Sequence, residues 1–503
     1  EAGLAYLDSG QTAYAAGLRE QVHACHPGLR RDLLLGLIDW ELGDAASALS
    51  WLLRAVEHPA AAENPPVLAR AWAQLAEVYV VAARAQEALE AGEEALSLAV
   101  RDSSAERIAW LHVATAEGMV HGGPAGLRRL AERLPKGPKD IASGELDLLV
   151  TRASIGYYSA RIPQARADLD VVLEMARRGD VAVQLSRCHY LMAAMLTAAG
   201  EWDDAELHAR TALSIATDDR LVWMQSQCHA ALATVMAFRG SWEDAERHLE
   251  RAGSLAHGAD NLEAAAVARV AESNLARARE LPSAVIGALD GLGSLVPMLS
   301  ALYFWPPLIC ALIDNGELDR AREQIDAFCA AADARGIDIG GSEIGLAARL
   351  AAAAGQTDRA AELFERVLAQ TGFYVSFLDR ALLHHCYAKM LLAKGNRALA
   401  TRHFKSGRDM LAAVKAAPFI ALIDADLGDA RLKPPGKVAS QPAFALTERE
   451  RDVALLVSRG LSNPEVAARL YVSRKAVEYH LSNIYAKVGI SSRRELREAQ
   501  LML

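Results

Sequence analysis

Two stretches of this sequence are near copies of one another, forty residues apart: SRCHYLMAAMLTAAGEWDDAE (186–206) and SQCHAALATVMAFRGSWEDAE (226–246). A chain built on this period does not collapse around one centre, because each unit is too small to bury its apolar face except on its neighbours. The signature of the repeat is a small residue, usually glycine, followed five positions later by alanine. It recurs at Gly43/Ala48, Ala83/Ala88, Gly200/Ala205, Gly240/Ala245, Gly316/Ala321, Gly355/Ala360 and Gly395/Ala400. Degenerate copies fit near Gly122, Ala160/Ala165 and Glu280, which makes about ten units.

The spacing predicts two helices per unit, joined at the glycine turn, with the alanine letting the second helix pack closely on the first. Abundant Ala and Leu, with only 6% aromatic residues, favour an all-helical chain. Trp72, Leu75, Tyr79, Ala88 and Ala95 fall at the spacing of a tetratricopeptide motif, which this body resembles with a longer repeat. The expectation is an all-α fold: an α-solenoid of about ten helix pairs over 1–423, with a concave groove suited to a protein, peptide or small ligand. Residues 424–443 lose helical periodicity and contain Pro434, Pro435, Gly436 and Pro442, so they read as a linker.

The remaining residues, 444–503, carry a different pattern. In RKAVEYHLSNIYAKVG (474–489), Val477, Leu481, Ile484 and Val488 form one helical stripe. Lys475, Tyr479 and Ser482 project from the opposite side, Glu478 and Asn483 flank it, and His480 and Lys487 sit on its shoulder. Ser473 stands at the N-cap and Gly489 at the C′ position. Upstream, LTERERDVALLVSRG (446–460) opens on a Thr447/Glu450 capping box, and LSNPEVAARLYVS (461–473) places Asn463 as cap and Pro464 at the first helical position. Downstream, Ser492 and Glu495 suggest a second capping box before a closing helix ending near Leu501. Short connections between these helices have helix-turn-helix spacing.

These residues resemble the LuxR-type DNA-binding domain, a four-helix module whose third helix enters the major groove. Pro464 departs from a usual Lys or Arg, and Ala476 from a usual Thr. The resemblance implies that the helix 474–488 reads double-stranded promoter DNA through Arg474, Lys475, Glu478, Tyr479, His480, Ser482, Asn483 and Lys487, with Thr447 nearby. Solenoid and tail together resemble the C-terminal portion of the large ATP-binding LuxR-family regulators, whose NTPase module precedes the repeats. No GxxxxGK[ST] loop occurs in this sequence. Glu1 opens inside what reads as helical sequence, so a larger parent is expected.

Net charge supports the division. From Phe444 to Leu503 there are ten Lys/Arg against seven Asp/Glu, +3, which leaves −12 of the total −9 on the body. Nucleic acid contact is therefore expected at the tail only. The six cysteines are far apart and form no CxxC pair, and no apolar run is long enough to span a bilayer. They read as reduced thiols in a cytoplasmic protein.

Cys188/His189 and Cys228/His229 invite a zinc reading, but adjacent helical residues diverge by about 100°, so neither a metal nor another cofactor is expected. Trp202 and Trp242 are expected between repeats. Tyr303, Phe304 and Trp305 gather three of the few aromatics in a unit that departs from the repeat. Core packing is the bland reading of that cluster, and a ligand groove the functional one. No nucleophile–base constellation argues for an enzyme. The combined expectation is a transcription regulator controlled by a small molecule or protein at the solenoid, homodimeric on DNA and in contact with RNA polymerase. The rival is a scaffold or adaptor whose C-terminal module is a protein contact.

Overall fold

The computed structural model describes residues 3–4, 12–135, 137, 141–179, 184–258, 261–292, 303–370, 375–429, 448–458, 460–470, 474–488 and 492–498. All regular elements among them are helical. They divide into a body, Glu1–Leu173 with Val181–Leu432, and a tail unit, Lys433–Leu503, with which Glu174–Asp180 is grouped.

The body is a series of helix pairs such as Leu29–Glu41 with Ala45–Val56, Leu185–Ala199 with Trp202–Asp218, and Val222–Arg239 with Trp242–Gly258. Every signature position turns the chain the same way. At Gly43, Ala83, Gly122, Ala160, Gly200, Gly240, Glu280, Gly316, Gly355 and Gly395, φ lies between +57° and +88°. At Gly200 the left-handed residue closes the helix end: its N–H donates to Thr197 O at 3.3 Å and the Glu201 N–H to Leu196 O at 2.9 Å. Five residues on, Ala48, Ala88, Ala205, Ala245, Ala321, Ala360 and Ala400 are fully buried. Any larger side chain there would push the two helices of a pair apart.

The copy at 40 residues extends to side-chain contacts. Ser186 Oγ donates to Ala212 O and Ser226 Oγ to Ala252 O, both at 2.9 Å. Nδ1 of His189 meets Nδ1 of His208 at 2.9 Å, and His229 meets His248 at 2.7 Å. A third pair, His384 and His403, meets at 2.8 Å. These histidines, two of which (His189 and His229) invited the zinc reading, hold one helix of a pair to the other. Trp202 is buried and donates to Thr197 O at 3.0 Å. Its ring lies 5.5 Å from that of Phe238 in the next pair. Trp242 lies under Arg279 of the next pair, 5.1 Å from ring to guanidinium.

Pairs distant in sequence also touch. The Phe238 ring is 5.8 Å from that of Phe419, Arg277 pairs with Asp379, and the Tyr303 hydroxyl donates to Tyr157 O at 2.6 Å. The last body helix corrects the expected linker start: Ala417–Asp429 is helical, with Leu427 buried and Asp424 paired to Arg408 at 2.7 Å. The proline-rich part of the expected linker lies outside the described residues.

In the tail, four helices run Glu448–Ser458, Asn463–Arg469, Arg474–Val488 and Arg493–Glu498. Val453, Leu456, Val457, Val466, Leu470, Val477, Ile484 and Leu496 are buried, so all four helices supply the core.

Candidate functional site

The third tail helix, Arg474–Val488, has two unlike sides. Val477 and Ile484 are fully buried and Leu481 keeps 5% of its surface, whereas Tyr479 keeps 66%. Arg474, Lys475, Glu478 and Ser482 are exposed, and His480 and Asn483 are half-buried. Arg474 Nε donates to Glu478 Oε1 at 3.0 Å, one turn along. Both partners are open to solvent, so the pair is worth at most about 0.5 kcal/mol. A phosphate can readily displace Glu478 from that guanidinium. Ser482 Oγ donates to Glu478 O at 3.1 Å. The rings of Tyr479 and His480 meet edge to face at 5.8 Å. Lys487 belongs to the helix, but its side chain, like Thr447 and the expected cap Ser473, lies outside the described residues.

What holds this helix in place is partly what the spacing suggested. Gly460 ends the first tail helix at φ +96°, with the Leu461 N–H reaching Leu456 O at 3.3 Å. Ser492 Oγ receives the Glu495 N–H at 3.2 Å and donates to the Glu495 carboxylate at 2.8 Å. The cap of the second helix is one residue earlier than expected. Ser462, not Asn463, is the N-cap, and Glu465 completes a capping box by accepting the Ser462 N–H at 2.6 Å. That box holds the Glu465 carboxyl below its usual range, first through the Ser462 hydroxyl and then through its N–H. Asn463 is thereby released to accept from Arg493 Nη1 at 2.6 Å, while Arg493 Nη2 donates to Leu461 O. This arginine, which the spacing did not single out, clamps the fourth helix to the turn before the second.

In the body, the aromatic cluster separates. Phe304 and Trp305 are each 3% exposed, stacked on one another at 4.8 Å and packed with Phe328. They are core, not groove. Tyr303 is 39% exposed and lies flat on Tyr157, centroids 5.1 Å apart and planes 7° apart. Its phenol is nonetheless pushed well above the usual value by burial. Tyr158 meets the same ring edge to face, centroids 6.0 Å apart. Sequence spacing could not have paired residues so far apart.

Comparison with known proteins agrees with this geometry. Residues 445–498 match the family described as bacterial regulatory proteins, luxR family. An HTH-type transcriptional regulator of Mycobacterium bovis is 54% identical over 52 residues, 10% of this chain and 6% of that protein. The oxygen regulatory protein NreC of Staphylococcus aureus is 40% identical over 62 residues, 12% of this chain and 29% of that one. The match thus spans less than a third of either relative's length. A Rap protein solved in complex with competence and sporulation factor superposes on this chain with a TM-score of 0.50 at 14% identity. That superposition covers 72% of this chain and 99% of the Rap chain, and shows the same helical-repeat fold. Residues 445–498 of this chain are a domain of the luxR family of bacterial regulatory proteins, carried at the end of a tetratricopeptide-like solenoid.

Proposed function

We propose that this protein is a transcription regulator that reads promoter DNA with the helix Arg474–Val488 and is controlled through the body. The observation that carries this reading is the division of that helix: Val477 and Ile484 fully buried, Tyr479 66% exposed, in a luxR-family domain. Lys475, Tyr479, Ser482 and Asn483 reach base edges in the major groove. Glu478 accepts from a cytosine amino group, Arg474 exchanges it for phosphate, and His480, Lys487 and Thr447 serve the groove wall. One such module offers little buried area, so the protein acts as a homodimer on two half-sites about one helical turn apart. The regulatory names of the relatives support a cytoplasmic protein that works with RNA polymerase. The Rap protein's bound factor supports an effector, small molecule or protein, at the body.

The test is binding of the full chain to a randomised duplex library at two salt concentrations. Tyr479→Ala or Asn483→Ala is expected to change base preference, by about 1–3 kcal/mol per lost base contact. Lys487→Ala is expected to weaken all sequences alike and lower the salt slope by about one. Changed preference with Lys487→Ala and none with Tyr479→Ala would refute this placement of the helix.

A further inference from the structure

The third tail helix is tied at both ends, and one side chain closes the tie. Residues 470–473 separate Asn463–Arg469 from Arg474–Val488, and residues 489–492 separate Arg474–Val488 from Arg493–Glu498. Arg493, the first residue of the fourth helix, reaches back to the turn that opens the second. Its Nη1 donates to Asn463 Oδ1 at 2.6 Å and its Nη2 to Leu461 O. The chain from Leu461 to Arg493 is thereby closed into a ring, with Arg474–Val488 as its longest member.

The chemistry makes this tie directional. A guanidinium is a planar fork, so two bonds from it fix an angle as well as a distance. Both acceptors are neutral, one from backbone and one from a side chain. Asn463 is available because Ser462 caps the second helix, with Glu465 accepting the Ser462 N–H at 2.6 Å. Val466 and Leu470 on one side and Val477 and Ile484 on the other are buried where the second and third helices pack together. A rotation of the second helix is therefore passed to the third. Fifteen residues make that third helix about 22 Å long. A tilt of about 10° displaces its far end by about 4 Å, whereas a binding contact needs placement to about 0.5 Å.

We infer that Arg493 is a positioning residue for base reading: its fork on Leu461 and Asn463 sets the angle at which Arg474–Val488 enters the groove. The inference deepens the promoter-reading role proposed for that helix and rests on it. Arg493 acts through the second helix and touches no base. Loosening its fork relaxes the sequence preference carried by Tyr479 and Asn483 and leaves the attraction to phosphates in place.

The experiment compares the full chain with its Arg493→Lys and Asn463→Ala variants on a randomised duplex library at two salt concentrations. Lysine keeps the charge and loses the fork, while the alanine removes one acceptor and leaves Arg493 in place. Preference is read as the ratio of affinities for the selected duplex and its single mismatches. That ratio does not depend on the fraction of chains that are folded, which hydrogen exchange over 461–498 reports separately. One mismatch commonly costs roughly tenfold, and both variants are expected to cut the ratio at least about threefold, with the salt slope unchanged. If the lysine variant does not fold, Asn463→Ala decides the matter alone. Undiminished ratios, with affinity falling only as the folded fraction falls, would make Arg493 a purely structural clamp and overturn the inference. Lost preference in Arg493→Lys with none in Asn463→Ala would put Arg493 itself against the DNA, which also overturns it. A parent chain that selects no sequence fails the regulator reading and takes the inference with it. A parent that selects one, with variants that select it as sharply, fails the inference only.

Discussion

Gly200 lies directly against the ring of Phe377, 177 residues further along the chain. A Cβ on Gly200 would stand 2.5 Å from Phe377 Cγ, and its φ is already +83°. The residue therefore carries two constraints at once: it turns the chain between two helices of a pair, and it admits the helix Phe377–Ala393 of a distant pair. Gly43 turns at φ +84° with nothing within 4 Å of an added Cβ.

The two glycines separate these costs. Gly43→Ala is expected to destabilise by about 1–2 kcal/mol from left-handed strain alone. Gly200→Ala adds a collision with an aromatic ring, about 1–3 kcal/mol more. Urea unfolding of both variants measures the difference, and equal losses would mean that the contact with Phe377 contributes nothing.

The opposite substitution is favourable where the turn residue is not glycine. Ala83 and Glu280 both sit at φ +57°. Replacing either by glycine is expected to stabilise the body by about 0.5–1 kcal/mol, the relief of strain exceeding the entropy added to the unfolded chain. Thermal melts test this, and a lower midpoint for both variants would contradict it.

Acid should loosen the body through the His384–His403 pair. His384 is lowered to about 4 by burial and then by His403, and His403 is lowered chiefly by burial. Both are neutral in the fold and bind protons more readily when unfolded. Their contribution is therefore complete above about pH 6.5 and is lost as pH falls toward about 4. The physical cause is that one Nδ1 proton serves the contact at 2.8 Å, and two would oppose each other. Melting midpoints from pH 7 to 4 are expected to fall, and less so for His384→Phe. An unchanged slope in that variant would assign the acid sensitivity elsewhere.

Arg493 is expected to hold the tail together. Arg493→Ala leaves Leu461 O and Asn463 Oδ1 without their donors, a loss of about 1–3 kcal/mol. Faster hydrogen exchange over 461–498, with the body unaffected, is the expected readout. Exchange as slow as in the parent would show the clamp to be dispensable.

The repeat, its turns and the tail's four helices were legible in the residues because they rest on local chemistry. A left-handed turn every forty residues, an alanine about one turn into the next helix, and capping residues all act within a few positions of themselves. Even the degenerate sites at Ala160 and Glu280 adopt the turn, at φ +60° and +57°. The stripe Val477/Leu481/Ile484 likewise defined the outer side of its helix by periodicity alone. One-residue questions were harder: Ser462 and Asn463 are both good caps, and in the fold Ser462 takes the capping box with Glu465 while Asn463 accepts from Arg493.

What tertiary structure alone decided is the set of contacts between distant pairs. Tyr303 on Tyr157, Phe377 on Gly200 and Arg277 on Asp379 depend on how many small rotations from pair to pair accumulate before the array meets itself. No single residue encodes that sum. The same accumulation separated three adjacent aromatics, sending Phe304 and Trp305 into the core and leaving Tyr303 partly exposed against Tyr157, because neighbours on a chain need not share a side where a helix begins.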